Sequence, residues 1–348
     1  MFADIGPHPT AEEARIATGR PLLALLGAAV ATLPACARDS TSPSAARAAT
    51  ITATTMRTRI GALAHDSMRG RATPSLELDK AAAYAAAEFA SFGLEPGFGS
   101  SFLQAWSERG LSASNVAARL AGADARLDSQ VVVFVAHMDH IGTATSGEGC
   151  VASGADSVCN GADDDASGAS AVIELARTFA GLTPRPRRSL LFLLVSGEEE
   201  GLLGSGYYVA HPAVPLSRTA AAVALDMISR NAPDSVYVVG LSASTLDTLA
   251  IGAALAHPDL GLHGSFLTGG GSDHASFSTS GVPAVCLFTG LHADYHRPSD
   301  TVDRIDADKA ARVARLAFYL GLELADRDAR PSSAAAPARG TADGGAPP

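Results

Sequence analysis

The stretch Val131-Val132-Val133-Phe134-Val135-Ala136-His137-Met138-Asp139-His140 decides the fold that this chain is expected to adopt. Its first five residues form a continuous run of β-branched and aromatic side chains, which is typical of a strand buried on both faces of a sheet. The ionisable residues come directly after that run. Open α/β sheets bind their ligands just beyond the carboxyl ends of strands. The stretch therefore predicts a buried strand that leads into a ligand site.

Strands and helices alternate on both sides of this stretch. Further strands are predicted from apolar runs at 190–195, 220–225, 235–239 and 282–288. Helices are predicted at 77–92, 166–180, 243–256 and 306–326. This alternation predicts an α/β fold, a three-layer sandwich in which helices cover both faces of a mixed, mostly parallel central β-sheet.

Composition limits the classes of protein to which the chain can belong. It has 348 residues, of which 47% are hydrophobic, and a net charge of −10. This length and apolar content are enough to bury a large core. Because no long basic run is present, nucleic acid is not an expected partner. Oligomeric state does not follow from the sequence.

The N-terminal segment predicts export. Its apolar stretch at 22–31 is too short to span a membrane, which takes about 20 apolar residues, but has the size of a secretory signal core. Leu33-Pro34-Ala35-Cys36 resembles a bacterial lipoprotein cleavage box, so residues 1–36 are expected to be a signal peptide that leaves a lipidated Cys36. The expected location is then the periplasmic face of a bacterial membrane. An ordinary signal peptide, with a secreted or periplasmic product, is the alternative.

The remainder divides into three parts. Residues 37–50 are rich in Ser, Thr and Ala and predict a flexible tether, 51–327 a single domain, and 328–348 a disordered tail. Cys150 and Cys159 lie close together in one loop and are expected to form a disulfide in an exported protein. Cys286 lies in an apolar run and is expected to be a buried thiol.

Three predicted strands run into acidic residues or histidines. His137 and Asp139 follow the first strand, Glu198-Glu199-Glu200 the second, and Asp226 the third. His137 and Asp139 are two residues apart on extended chain and point to the same side, which suits a metal ligand and the carboxylate that orients its imidazole. Each element also has a structural interpretation when it is taken alone.

Those structural interpretations are ordinary ones. An isolated His-x-Asp is usually a surface pair, and Asp163-Asp164-Asp165 would serve as the cap of the following helix. The three glutamates at 198–200 would suit a first helical turn. Asp226 would be a turn residue and His296 a surface residue of a loop.

The motifs taken together carry more information. The ordered set is His-x-Asp, Gly-Ala-Asp-Asp-Asp-Ala-Ser-Gly, Glu-Glu-x-Gly-Leu-x-Gly-Ser, Leu-Asp-Met and Tyr-His-x-Pro-x-Asp. It resembles metallopeptidase family twenty-eight of clan MH, which includes secreted bacterial aminopeptidases and glutamate carboxypeptidase. The resemblance covers roughly residues 57–327 and is specific, because five independent motifs occur in the right order.

This resemblance implies two zinc ions per chain. The implied ligands are His137 and Asp226 for one ion, Glu199 and His296 for the other, and Asp164 as the bridge between them. A mixed set of imidazoles and carboxylates suits zinc on chemical grounds as well.

The resemblance also implies catalytic roles. Glu198 would be the general base, Asp139 would orient His137, and Tyr295 would help to stabilise the tetrahedral intermediate. Asp165 would follow Asp164 through a cis peptide bond. Ser272-Asp273-His274 would line the pocket, and His140 would belong to its motif without being a ligand.

The function expected from these residues is that of an exported di-zinc aminopeptidase, which hydrolyses peptide substrates with metal-activated water. A dipeptidase or carboxypeptidase with the same centre is an alternative. Glutaminyl cyclases share the implied fold but use one zinc, which the full ligand set disfavours. A catalytically silent binding lipoprotein is an alternative from another class, and the intact Glu198 disfavours it.

Overall fold

We describe a computed structural model of the chain over residues 42–146, 149–240, 245–268 and 271–332. The predicted signal peptide at 1–36, with its Cys36, lies outside the described residues, and so do residues 37–41 of the predicted tether and residues 333–348 of the predicted tail. No helix within the described ranges is both long enough and apolar enough to cross a membrane.

From residue 131 onward strands and helices follow the predicted alternation, apart from two consecutive strands at 219–226 and 235–240, whereas the strands between 95 and 137 have no helix between them. The helices are α1 Pro43–Ala48, α2 Ala53–Leu63, α3 Leu76–Ser91, α4 Ala166–Ala180, α5 Leu203–Ala210, α6 Thr245–Ala256, α7 His274–Thr279 and α8 Ala307–Asp326. The strands are β1 Glu95–Pro96, β2 Leu103–Glu108, β3 Leu111–Leu120, β4 Val131–His137, β5 Ser189–Val195, β6 Thr219–Asp226, β7 Ser235–Gly240, β8 His263–Thr268 and β9 Ala284–Phe288.

The strands form one mixed sheet in the order β1-β3-β5-β4-β6-β9-β7-β8, with β2 paired to the outer part of β3. The central strands β5, β4, β6 and β9 are mutually parallel. The pairs β3/β5 and β7/β9 are antiparallel. The predicted mixed, mostly parallel sheet is therefore confirmed.

The central strand β4 explains why the predicted sandwich has helices on both faces. All seven of its residues are buried, and successive side chains point to opposite faces. Val131, Val133 and Val135 pack in one cluster with Tyr208 of α5 and Phe277 of α7. Val132 and Phe134 pack in the other cluster, which contains the inner faces of α2, α3, α4 and α8. The three-layer prediction is confirmed.

Both ends of the domain extend further than the sequence suggested. Residues 43–48, expected in the flexible tether, form α1, because Ser42 caps the helix by accepting a bond from the Ala45 amide and Pro43 suits its first turn. Ala48 and Ile51 are buried against the domain. At the other end Arg330, expected in the disordered tail, donates to Gln130 and to the carbonyl of Ser217.

Candidate metal centre

Three parallel strands bring their carboxyl ends to one rim of the sheet. His137 is the last residue of β4 and Asp226 the last residue of β6. Glu198 and Glu199 follow β5 after a short turn. Because β4 pairs with both β5 and β6, these side chains converge although they are far apart in sequence. The rim is the position at which parallel sheets bind ligands.

Asp164 lies between two histidines. Its Oδ1 atom is 3.3 Å from Nε2 of His137, and its Oδ2 atom is 3.1 Å from Nε2 of His296. Asp226 Oδ1 lies 3.8 Å from the same His137 nitrogen, and Glu199 Oε2 lies 3.1 Å from the same His296 nitrogen. The carboxylate of Asp164 thus faces one imidazole–carboxylate pair with each of its oxygens.

The structure therefore brings together all five residues that were predicted as metal ligands. Among the described residues, two groups of side chains have donor atoms within 4.8 Å of one another, namely His140, Asp164, Glu199 and His296 in one, and His137, Asp165 and Asp226 in the other. Asp165 and His140 are additions to the predicted set. Which members would bind an ion follows from their other contacts.

Asp165 and His140 both have structural partners. Asp165 caps α4, because its Oδ1 accepts bonds from the amides of Gly168 and Met227. Nδ1 of His140 lies 2.8 Å from Oε1 of Glu199. An imidazole that hydrogen-bonds to a ligand carboxylate orients that ligand. We therefore keep both residues outside the predicted ligand set.

The donor atoms of the site suit a bound cation. Several buried polar atoms make no well-aligned hydrogen bond to another described residue, and they include Asp226 Oδ1 and, although they lie 3.1 Å apart, Asp164 Oδ2 and His296 Nε2. Buried polar atoms are rarely left in this state unless an ion or water completes them. Imidazole nitrogens and carboxylate oxygens together are a zinc donor set. The residues present therefore fit zinc.

The loop that carries Asp164 is held through its backbone. The carboxylate of Asp300 accepts bonds from the amides of Asp163, at 3.0 and 3.1 Å, and Asp164, at 3.2 Å. Oδ1 of Asp163 accepts bonds from the amide and hydroxyl of Ser229. The Asp164–Asp165 peptide bond is cis, as the resemblance implied. Asp300 is the last residue of the Tyr-His-x-Pro-x-Asp motif, and its contacts show that it supports the loop of Asp164.

Asp139 contacts the turn after β5 more closely than it contacts the imidazole of His137. Its carboxylate accepts bonds from the amide of Glu198 at 3.3 Å, the amide of Glu199 at 3.4 Å and the hydroxyl of Thr73 at 3.2 Å. Nδ1 of His137 is 3.2 Å from the backbone carbonyl of Asp139 and 3.7 Å from its carboxylate. The carbonyl is therefore the nearer group for orienting the ring.

Glu198 is buried at the centre of this acidic surrounding. Burial raises the pKa of Glu198 well above its usual range, and the negative charges of Glu199, Asp273 and Asp226 act in the same direction, whereas His137 opposes them. Glu198 is not a member of either group of candidate ligands. Its carboxylate is thus available for proton transfer.

The remaining predicted residues lie around the centre. The ring of Tyr295 stacks on the ring of His296, with centroids 3.8 Å apart, and burial raises the pKa of its hydroxyl. Ser272, Asp273 and His274 are all buried at the start of α7. Cys150 and Cys159 form the predicted disulfide in the loop before Asp164. Cys286 is a buried free thiol, as predicted.

Comparison with known proteins identifies relatives of this arrangement. The sequence model of peptidase family M28 matches residues 115–321, which is more than half of the chain. The aminopeptidase YwaD of Bacillus subtilis is 27% identical over 176 residues, which are 48% of this chain and 38% of that protein. Leupeptin-inactivating enzyme 1 of Streptomyces exfoliatus is 29% identical over 196 residues, or 56% of this chain and 39% of that protein.

The matched part of the chain thus spans well under half the length of these curated relatives. Among solved structures, the aminopeptidase from Aneurinibacillus sp. strain AM-1 superposes with a TM-score of 0.64 at 18% identity. That superposition covers 81% of this chain and 96% of the other. At this identity the likeness concerns the fold, and it agrees with the sandwich described above.

Proposed function

Since the chain belongs to peptidase family M28, we propose that it is an exported zinc aminopeptidase, which removes single residues from the N-termini of peptides. The observation that carries this proposal is the position of Asp164, whose two oxygens face His137 and His296. A carboxylate placed in this way suits a bridge between two cations. The proposed number of zinc ions is therefore two per chain.

The residues that would hold zinc are His137 and Asp226 on one side of Asp164, and Glu199 and His296 on the other. When bound, zinc would act as a Lewis acid that polarises the peptide carbonyl and makes the attacking water more acidic. Because the ligand side chains of His137 and Asp226 are almost completely buried, the protein excludes most of the competing water from this side.

Glu198 is the proposed general base. Its backbone is fixed by the bond from its amide to Asp139, while its carboxylate belongs to neither group of candidate metal ligands. Burial raises the pKa of this carboxylate, which makes it a stronger proton acceptor than an exposed glutamate. Glu198 would take a proton from the attacking water and pass it to the leaving amine.

Tyr295 is proposed to bind the substrate carbonyl oxygen as negative charge develops on it. Stacking on His296 places the phenol beside the metal centre. Because the pKa of Tyr295 is raised by burial and by the surrounding carboxylates, the hydroxyl keeps its proton at neutral pH and can donate it in a hydrogen bond. Such donors stabilise oxyanions in water-excluded sites.

Cleavage at the N-terminus, rather than the C-terminus, is supported by the name of the Bacillus subtilis relative. The direct test compares hydrolysis of an aminoacyl-anilide with that of its N-acetylated form, together with a peptide that is blocked at the C-terminus. An aminopeptidase cleaves the free aminoacyl-anilide and the C-blocked peptide but not the N-acetylated compound. Cleavage that needs a free C-terminus would instead support a carboxypeptidase.

Export is a further part of the proposal. The disulfide between Cys150 and Cys159 supports an oxidising compartment, since disulfides persist there and are rare in the cytosol. The proposed mature chain is a single peptidase domain attached to the membrane through a lipidated Cys36. Cell fractionation of the full chain and of Cys36→Ser tests this. Membrane attachment that disappears only in the variant supports lipidation, whereas identical fractionation of the two contradicts it.

A further inference from the structure

Arg71 is a fully buried arginine that lies next to the metal centre, and among the described residues it forms no salt bridge with a carboxylate. Its guanidinium donates instead to four backbone carbonyls. Nε donates to Met138 at 2.8 Å, Nη1 to Leu63 at 2.6 Å and Asn160 at 2.8 Å, and Nη2 to Gly161 at 3.1 Å. From these contacts we propose that Arg71 is a positioning residue for the metal centre, which holds in register the two ends of the connection between β4 and α4, the first beside His137 and the second beside Asp164.

Three of the four carbonyls that Arg71 binds lie at the two ends of this connection, and the fourth, that of Leu63, ends α2. Met138 lies between His137 and Asp139 at the end of β4. Asn160 and Gly161 begin the loop that leads to Asp164. A single planar guanidinium with a fixed fork of donors can join such separate acceptors in one geometry, which a lysine ammonium cannot do.

The backbone beside Arg71 strengthens the same connection. The carbonyl of Arg71 accepts a bond from the amide of His140, and the carbonyl of Gly70 accepts one from the amide of Gly142. Gly70 has a φ of +68°, and a Cβ there would lie 2.3 Å from the carbonyl oxygens of both Gly142 and Cys159. The segment is therefore packed between two stretches of this connection at a distance that only glycine allows.

The positive charge of Arg71 also favours its position near the carboxylates of the centre. Burial lowers the pKa of Arg71 to about 10, while the negative charges of Asp139, Asp164, Asp165 and Asp300 raise it. The side chain therefore remains a cation at neutral pH. A fixed positive charge among these carboxylates reduces their mutual repulsion and so favours the arrangement in which they bind zinc.

Arg188 provides a matched control. It is also a fully buried arginine, and it also donates to backbone carbonyls, namely those of Leu324, Arg327 and Asp328. It precedes β5 and therefore lies at the opposite end of the sheet from the metal centre. Loss of a buried arginine should destabilise the protein at either position, but only Arg71 should affect zinc.

The test measures zinc affinity of the folded protein by competition with a chromophoric chelator, for the wild type, Arg71→Lys, Arg71→Met and Arg188→Lys. Thermal unfolding of the metal-free proteins is measured in parallel. We expect zinc affinity to fall about 10- to 100-fold in the Arg71 variants, as for other residues that orient ligands, and to stay unchanged in Arg188→Lys. The lysine variant keeps the charge, so it serves as the test if Arg71→Met does not fold.

Two results would overturn the inference. One is unchanged zinc affinity in a folded Arg71 variant. The other is an equal loss of affinity in the Arg71 and Arg188 variants, because that would indicate general destabilisation. The proposed role of Arg71 rests on the proposed zinc centre, but different results would contradict each of them. Absence of zinc binding by the wild type defeats the proposed function, whereas normal binding by both wild type and Arg71→Lys defeats only the role of Arg71.

Discussion

The carboxylate of Asp139 accepts a hydrogen bond from the backbone amide of Glu198, with Oδ1 at 3.3 Å from the nitrogen. Asp139 follows β4 and Glu198 follows β5, so this bond ties together the ends of two parallel strands. One of these strand ends carries the candidate ligand His137, and the other carries the proposed base. The relative position of His137 and Glu198 is therefore fixed by the backbone pairing of β4 with β5 and by this bond from an amide to a side chain.

Replacing Glu198 with glutamine should separate metal binding from catalysis. The amide has nearly the same shape but cannot accept a proton, so kcat should fall at least about 100-fold while zinc content stays the same. Glu200→Gln is the matched control, since Glu200 lies two residues away and belongs to neither group of candidate ligands. Zinc analysis and hydrolysis of an aminoacyl-anilide measure both effects. A fully active Glu198→Gln variant would exclude Glu198 as the base.

Asp300→Asn should weaken zinc binding without a direct change in the ligands. Asp300 accepts bonds from the amides of Asp163 and Asp164 with both of its oxygens, and asparagine would turn one of these acceptors into a donor. We expect zinc affinity to fall about 10-fold or more. Asp303→Asn changes an exposed carboxylate of the following turn and should have no effect. Chelator competition measures both, and equal affinities in the two variants would argue against this role for Asp300.

Gly161→Ala should destabilise the protein far more than the same substitution at a glycine that has a positive φ but open space around it. Gly161 has a φ of +59°, and a Cβ there would lie 2.2 Å from the carbonyl oxygen of Asp164 and 2.5 Å from the ring of His140. Gly99 has a φ of +65° but open space around it, so Gly99→Ala should cost only about 1–2 kcal/mol. Unfolding by urea and zinc content measure the difference. Equal effects would show that the loop adapts to the added methyl group.

The ion pairs of Glu174 should make stability depend on pH, far from the metal centre. Burial would raise the pKa of Glu174, but hydrogen bonds from Arg177 and Arg59 outweigh it and hold the pKa below its usual 4.5. A group whose pKa is lowered on folding stabilises the protein above its unfolded pKa, and this contribution is lost as the pH falls through the folded value.

Glu174→Gln should therefore reduce the free energy of unfolding of the metal-free protein by about 3 kcal/mol at pH 7. The difference from wild type should shrink steadily as the pH falls below about 4.5. Glu77→Gln removes an exposed pair with Lys80 and should cost less than about 1 kcal/mol. Urea unfolding at several pH values measures these effects, and a difference that does not vary with pH would contradict the assignment.

Much of the fold was predictable because the central strands are apolar on both faces. The runs at 131–135, 190–195 and 220–225 could be found because apolar residues follow one another without interruption, and the structure places these runs side by side. Strand β3 was missed, since Leu111–Leu120 mixes serine, asparagine and arginine with apolar residues and lies partly exposed. Pairing with β5 stabilises it as a strand, and such long-range pairing leaves no local signal.

In the candidate site, too, some residues could be predicted from the sequence and others could not. His137, Asp164, Glu199, Asp226 and His296 could be named because the ordered motifs that contain them resemble those of a known peptidase family, which implies their roles. The residues that hold them could not be given this role, since Thr73 and Arg71 reach the centre from distant parts of the chain, and Asp300, although it ends the last motif, acts on the backbone of another motif. Their contacts are made to backbone groups or to carboxylates that the sequence does not pair with them. The candidate ligands could therefore be proposed from the sequence, whereas the residues that position them could be found only in the structure.

The most direct test of the central claim is the zinc content of the purified protein, measured with the rate of aminoacyl-anilide hydrolysis before and after treatment with a chelator. The proposed centre predicts about two zinc ions per chain, loss of hydrolysis when they are removed, and recovery when zinc is added back. A protein without zinc, or hydrolysis that persists undiminished in the metal-free protein, would contradict the account.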